Sequence, residues 1–434
     1  MKLILILICI IIAFFIAKEK GEKRVKWLII GLLFTLLDVN ILSSPPISSH
    51  KLYLIAFYFS LYRHNEFFQQ FRNYPFKRIT LLLAVLSFGV AFVDSRLSLP
   101  SQVQRAFSNI LELSSLFIGY CCVNSLAEYT SIYKKLYRYV ILIGLFGILT
   151  WLIQRNPYYD FVTSLFNSNG IGIWSEVQER GYRVCSTFSN PIVYGFVMNA
   201  LLLMLWEFNR TKKINVSFSV LLLLVVNILF ANSRTCLVTS AISICLYFIF
   251  IYGVSRKLFA YALSIGCLLI VSYNFIPPIT NILDSVLDIF LTGGANTKGT
   301  TLDLKEQQQA MAYVFFLQAP YFGNGYDYFA EVILAGKLFF YDGELAGLEG
   351  YGYKLLVEQG AFMIIANVIY MLCIFRFFIK RFSNRLSRLS FSLFLSFVVF
   401  VLTTGTYGGV IYYTFILLGM NVKMINSKIQ LSNS

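Results

Sequence analysis

Apolar residues run through this chain in unbroken stretches close to the roughly 20 residues that cross a hydrocarbon core, and the stretches recur along its whole length. They show neither the two-residue alternation of a half-buried strand nor the one-sided stripe of a surface helix. A segment in lipid has no water to satisfy its backbone. Each must therefore pair its own N–H and C=O groups, which leaves helices. Composition closes the alternative: with 58% hydrophobic and 13% charged residues in 434, there is too little polar surface to cover a water-soluble globule. The expected fold class is all-α, a polytopic integral membrane helical bundle.

Thirteen runs qualify, at residues 3–17, 27–42, 51–62, 79–93, 107–125, 139–154, 191–206, 216–231, 235–252, 258–276, 353–375, 389–404 and 408–422. Several are short and 51–62 is the weakest, so the expectation is about 12–14 transmembrane helices with two long outer loops. The chain divides into N-terminal transmembrane helices (1–154), a first long outer loop (155–190), central transmembrane helices (191–276), a second long outer loop (277–352), and C-terminal helices with a cytoplasmic tail (353–434). The first run follows Lys2 in the manner of a secretory signal. The basic stretch 18–26 and the lack of a small-residue cleavage pattern make it a retained helix instead.

Lys and Arg are held back on the cytoplasmic side of a membrane, so their distribution orients the chain. Seven alternate segments (18–26, 63–78, 134–138, 210–213, 256–257, 376–388 and the tail) carry 24 of the 36 basic residues, although the two longest loops lie elsewhere. Those seven should face the cytoplasm, with the C-terminus inside and the N-terminus outside. The net charge of +15 is then an orientation signal and an attraction to anionic headgroups. Nucleic-acid binding is excluded, because the basic residues are scattered among spans rather than gathered in a soluble domain. Seven of the 8 Cys fall within spans and Cys185 stands alone in an outer loop, so no disulfide framework is expected. His50 and His64 fall on opposite sides, which argues against a metal site; no cofactor is expected.

Loops of this size on a helical scaffold are where function collects. The first ends in Arg180-Gly181-Tyr182-Arg183 and runs on through Asn190-Pro191 into a span. A guanidinium stays charged and grips phosphate oxygens as a bidentate fork, which suits a diphosphate headgroup; pairing with Glu176 and Glu179, or snorkelling to lipid, is the other reading. Asn232-Ser233-Arg234-Thr235 is a tight outer turn that sets Arg234 at the bilayer edge, again as a ligand of phosphate or as a lipid anchor. The second loop holds a helical run at 302–318, suited to the interface or to packing on the bundle, and then the turn Pro320-Tyr321-Phe322-Gly323-Asn324-Gly325. Glu349 follows at the membrane boundary, placed to act as a general base. Glu358, at i+4 from Lys354, reads as its ion-pair partner.

These pieces, in this order over residues 180–375, resemble the O-antigen polymerase and O-antigen ligase superfamily of bacterial surface-polysaccharide assembly. Members carry an Arg before a Gly-Thr-Phe-x-Asn-Pro segment, here Arg183 and Ser186-Thr187-Phe188-Ser189-Asn190-Pro191, with Ser186 in place of Gly. They carry a Ser-Arg pair, here Ser233-Arg234, then Pro-x-x-Gly-x-Gly, here Pro320 to Gly325, and a polar residue nine positions before Glu-x-Gly, here Glu349 before Glu358-Gln359-Gly360. Ligases typically have His where this chain has Glu349, which favours a polymerase. The resemblance implies a glycosyltransferase on the outer face of the bacterial cytoplasmic membrane, joining polyprenyl (undecaprenyl) diphosphate-linked oligosaccharide repeat units of an O-antigen or capsule. It implies catalytic roles for Arg183, Arg234 and Glu349 and substrate contacts from Arg180, Asn190, Asn324 and Lys354, with membrane lipid, a chain-length regulator and a flippase as partners. The alternatives are a ligase-type transferase and a lipid-linked oligosaccharide flippase; a scaffold without catalysis is the third.

Overall fold

The computed structural model describes residues 2–35, 40–43, 46–93, 98–166, 181–253, 302–328, 350–405 and 409–427, with a few isolated positions between 280 and 292. Among these it contains sixteen helices: α1 (Lys2–Lys18), α2 (Gly21–Phe34), α3 (Ser49–Arg63), α4 (Phe67–Asn73), α5 (Lys77–Val93), α6 (Leu99–Leu113), α7 (Ser115–Cys121), α8 (Leu126–Leu152), α9 (Pro157–Phe166), α10 (Pro191–Arg210), α11 (Phe218–Phe230), α12 (Arg234–Tyr252), α13 (Leu302–Gln318), α14 (Tyr351–Lys380), α15 (Arg385–Thr404) and α16 (Val410–Asn426). The only strands among the described residues are a small antiparallel hairpin, β1 (Asn40–Ser43) with β2 (Pro46–Ser48). The chain is an all-α bundle. Five of its helices, α8, α10, α12, α14 and α15, are long and apolar enough to cross a membrane, and α4 with α5, bent by 111° at residues 74–76, adds a sixth if counted as one span.

Every candidate span within the described residues coincides with helix, and α13 keeps the expected bounds. The run at 258–276 lies outside the described residues. Three boundaries differ for identifiable reasons. α2 starts at Gly21 rather than 27 and stops at Phe34, because the basic stretch 18–26 is itself helical and the chain then turns into the hairpin. The run at 107–125 resolves into α6 and α7, and α6 reaches back to Leu99 through Gln102, Gln104 and Arg105, polar residues that a hydropathy window discards. The first long loop opens with a helix, α9, whose Tyr159 and Val162 pack on Cys185. At about 1.5 Å per residue, helices such as α2 (14 residues) and α11 (13 residues) span roughly 20 Å, which is why only some of the thirteen runs reach membrane-crossing length.

The bundle has two chemically distinct ends. At one, the basic segments meet: Glu66 takes Lys20 at 3.5 Å and Arg24 at 2.8 Å, Lys135 pairs with Glu22, and Lys423 donates to Gln70 at 2.7 Å. Glu207, 1% exposed, is held there by Arg210 at 3.1 Å, Arg385 at 2.8 Å and the Tyr247 hydroxyl at 2.6 Å. At the other end lie residues 181–190, the 230–236 turn, the turn after α13 and the start of α14. His64 sits at the basic end, against the Lys18 carbonyl, and His50 at the other, against Tyr412. Between the ends the core is apolar. α7 and α16 cross in backbone contact where Gly119 and Gly419 face one another: a Cβ at Gly119 would lie 2.2 Å from the Ile416 carbonyl oxygen, and one at Gly419 would lie 2.2 Å from that of Leu116.

Candidate functional site at the loop end

Residues 182–190 are laid into the bundle rather than over it. The Val184 N–H donates to the Phe230 carbonyl at 3.0 Å, Thr187 donates to Leu33 O at 2.5 Å, and Ser186 Oγ donates to Ile143 O at 2.8 Å. Asn156, just before α9, donates to Ser186 O at 2.7 Å and to Cys185 Sγ at 3.3 Å. Ser186 has φ 51°, in the left-handed region where glycine sits without cost, and its hydrogen bonds hold it there. The segment then enters α10 through Asn190, whose Oδ1 accepts from Ile192 N at 2.8 Å as the N-cap, with Pro191 at the first helical position. Cys236, in the first turn of α12, donates to Ile192 O at 2.7 Å, and Ser233 Oγ caps α12 by accepting from Cys236 N.

This framework brings two of the sequence-identified arginines together. Arg183 is 6% exposed, and Arg234, half-buried at the start of α12, lies close enough for its charge to be felt. Burial lowers the Arg183 pKa from its usual value, and Arg234 acts in the same direction, against the opposing effects of Cys236 and Cys185. A guanidinium nonetheless stays charged. Guanidinium groups at such a bundle end have the chemistry to bind an anion with several oxygens. Burial also pushes the Cys185 thiol up to about 12, so it is no nucleophile at neutral pH.

The other two sequence motifs are docked into each other. α14 is broken at Gly360 (φ 71°, ψ −173°), which releases the carbonyls of Val357 and Glu358 and the N–H groups of Ala361 and Phe362 from the helical ladder. The Pro320–Gly325 turn takes all four: Asn324 N donates to Val357 O at 2.8 Å, Gly325 N to Glu358 O at 2.9 Å, Ala361 N to Pro320 O at 2.8 Å and Phe362 N to Tyr321 O at 3.2 Å. No side chain fits at the contact. A Cβ on Gly323 would meet Gln359 N at 2.4 Å, and one on Gly360 would meet Gly323 N at 2.4 Å. The Asn324 side chain completes the joint, donating to Phe315 O at 2.8 Å and Val357 O at 3.1 Å.

The sequence-derived site residues therefore separate by role. Arg183 and Arg234 are brought together, Asn190 is a helix cap and Asn324 is a joint between α13 and α14. Lys354 is exposed in the first turn of α14, whereas Glu358 is 3% exposed behind the docked turn, so the two differ in environment despite their i,i+4 spacing. Arg180 and Glu349 lie outside the described residues. Gly350, which follows Glu349, sits 3.1 Å (from its would-be Cβ) from the Leu402 carbonyl at the end of α15. The bond from Ser396 Oγ to Thr239 O, at 2.8 Å, sets α15 antiparallel to α12 and brings Arg234 level with that same end.

A third group of polar residues occupies this end without forming a motif. The Tyr412 hydroxyl donates to Glu112 Oε1 at 3.3 Å, the His50 ring lies 4.7 Å from the Tyr412 ring, and Glu112 acts electrostatically on Tyr351 and Tyr326. Asn109 bridges Ser87 and Gln359 at 2.9 and 3.1 Å. On the far side of the same helix turn, Tyr413 packs on Phe188, so α16 joins this group to the arginine segment. These residues come from α3, α5, α6, α14, α16 and the turn after α13, and no sequence spacing links them. Among the described residues no cluster of His, Cys, Asp and Glu is arranged to hold a metal ion.

No protein-family model matches the chain, and no curated protein is significantly similar to it.

Proposed function

We propose that the protein is a multi-pass bacterial inner-membrane glycosyltransferase that polymerises polyprenyl diphosphate-linked oligosaccharide repeat units on the outer face. The observation that carries this reading is that buried Arg183, on the segment whose Val184 N–H donates to the Phe230 carbonyl just ahead of α12, shares with Arg234 the end of the bundle opposite the basic segments. By the positive-inside rule the basic end is cytoplasmic, which places the arginines at the outer surface, where a lipid-linked diphosphate presents its phosphates. The apolar pocket bounded by Leu28, Leu32, Leu136, Val197, Tyr413 and Met420 lies directly below the segment that Thr187 anchors to Leu33, a position suited to a polyprenyl chain. Two local features support the resemblance. Ser186 holds left-handed backbone where the resembled segment has glycine, and the Pro-x-x-Gly-x-Gly and Glu-x-Gly elements form one joint.

In this mechanism the guanidinium groups bind the donor's diphosphate and stabilise the charge that builds on it as the glycosidic bond to phosphate breaks. An acceptor hydroxyl attacks the anomeric carbon, and its proton passes to a carboxylate on the same side of the membrane. A flippase would route its cargo through a polar cavity among its helices and needs few long loops, whereas this chain has two long outer segments. The test is the sugar ladder of a strain lacking the protein. Single lipid-linked units displayed outside, with polymer restored by the wild-type chain, are expected. Untranslocated units inside would indicate a flippase, and an unchanged ladder would refute the proposal.

A further inference from the structure

We infer that Glu112, oriented by Tyr412 and His50, is the group at this site that takes the proton of the acceptor hydroxyl; the inference rests on the transferase reading above. Glu112 sits in the last turn of α6 and is half-buried. A carboxylate in an apolar run is costly unless it is hydrogen-bonded and used, and an intramembrane ionisable residue is by default a functional one. Its Oε1 accepts from the Tyr412 hydroxyl at 3.3 Å. Tyr412 is in the first turn of α16, so Glu112 lies one turn below the loop end and not at mid-bundle. The ring of His50, itself 6% exposed, packs on Tyr412 at 4.7 Å and fixes the phenol from the other side.

A second observation points to an occupant. The Tyr351 hydroxyl is buried and makes no hydrogen bond among the described residues, although it lies within electrostatic reach of Glu112. A buried hydroxyl left without a partner is costly, and native structures keep such groups where a ligand or water completes them. Tyr351 also follows Gly350, which lies against the end of α15 level with Arg234. The carboxylate and the arginine pair thus flank the tops of α15 and α16.

The step balances. As the acceptor oxygen bonds to the anomeric carbon, its proton moves to a Glu112 carboxylate oxygen. The bond from that carbon to the phosphate oxygen breaks, and its electron pair leaves on the diphosphate held by Arg183 and Arg234. Water then takes the proton from Glu112. Tyr412 and His50 are positioning residues in this scheme, and Glu349 is not the base.

The experiment compares wild type, Glu112→Gln, Glu112→Asp, Tyr412→Phe and Glu349→Gln, first for polymer in the deletion strain and then for turnover of purified lipid-linked repeat units in nanodiscs. Glu112→Gln keeps an acceptor for Tyr412, so folding is preserved while the base is removed. Its rate at saturating substrate should fall about 100-fold or more, with the half-saturating concentration within about threefold of wild type, the signature of a transition-state role. Glu112→Asp and Tyr412→Phe should retain intermediate rates. Wild-type turnover with undiminished Glu112→Gln activity, or loss confined to Glu349→Gln, overturns the inference and leaves the transferase reading standing. Should Glu112→Gln not accumulate, full activity of Glu112→Asp together with Tyr412→Phe at normal abundance overturns it equally. Absence of polymerisation by the wild-type chain overturns the reading beneath it.

Discussion

The basic end and the loop end of this bundle use the same side chain in opposite ways. At the basic end guanidinium groups are matched to carboxylates: Arg24, fully buried over the Phe57 ring at 4.6 Å, reaches Glu66, and half-buried Arg210 and Arg385 share Glu207. At the loop end buried Arg183 lies within electrostatic reach of half-buried Arg234. Matched charges hold helices in register, and removing one member strands the other. We propose that the loop-end arginines serve an incoming anion rather than the register of the helices.

That contrast can be broken by mutation, and the largest effects should come from the scaffold. Gly360→Ala puts a Cβ at a positive-φ break already filled by the Pro320–Gly325 turn. Its expected outcome is loss of folded protein, read as aggregation in fluorescence-detected size exclusion; a monodisperse wild-type-like peak would refute the docked joint. Next come the matched charges. Arg24→Ala leaves Glu66 without its closest cation, and Glu207→Leu leaves two arginines facing an apolar side chain. Each should cost about 3–5 kcal/mol and lower the detergent Tm by several degrees. Arg183→Ala should lose polymer out of proportion to any fall in Tm.

Smaller effects sharpen the same division. Asn190→Ala removes a helix cap and should cost about 1 kcal/mol, with polymer formed at a rate that tracks the remaining folded protein. A larger, stability-independent loss would return Asn190 to the substrate. Cys185, its thiol raised by burial, should resist a maleimide at neutral pH in the folded protein and react once it is denatured.

Much of this architecture was legible in the sequence because lipid leaves so few solutions. Apolar runs could only be helices, and the spacing of Lys and Arg correctly divided the residues between two ends, as the positions of His50 and His64 attest. What hydropathy could not show was backbone chemistry. The break at Gly360 reads in sequence as an ordinary helix start, and its meaning appears only when the Pro320–Gly325 turn satisfies the four freed groups. Asn190 and Asn324 looked like substrate ligands because polar residues in motifs suggest chemistry, yet their hydrogen bonds go to the backbone. Glu112, Tyr412 and His50 lie far apart in the chain, and no spacing rule links residues drawn from three helices.

The central claim is that the arginine pair receives a diphosphate, and direct binding tests it. Purified protein in nanodiscs should bind a short-chain polyprenyl diphosphate, and Arg183→Ala with Arg234→Ala should weaken that binding by about 100-fold or more, since each charge-assisted contact is worth roughly 1.5–3 kcal/mol. Replacement of Arg210, a matched arginine at the basic end, should leave binding unchanged. Equal affinity in wild type and the double variant would contradict the account.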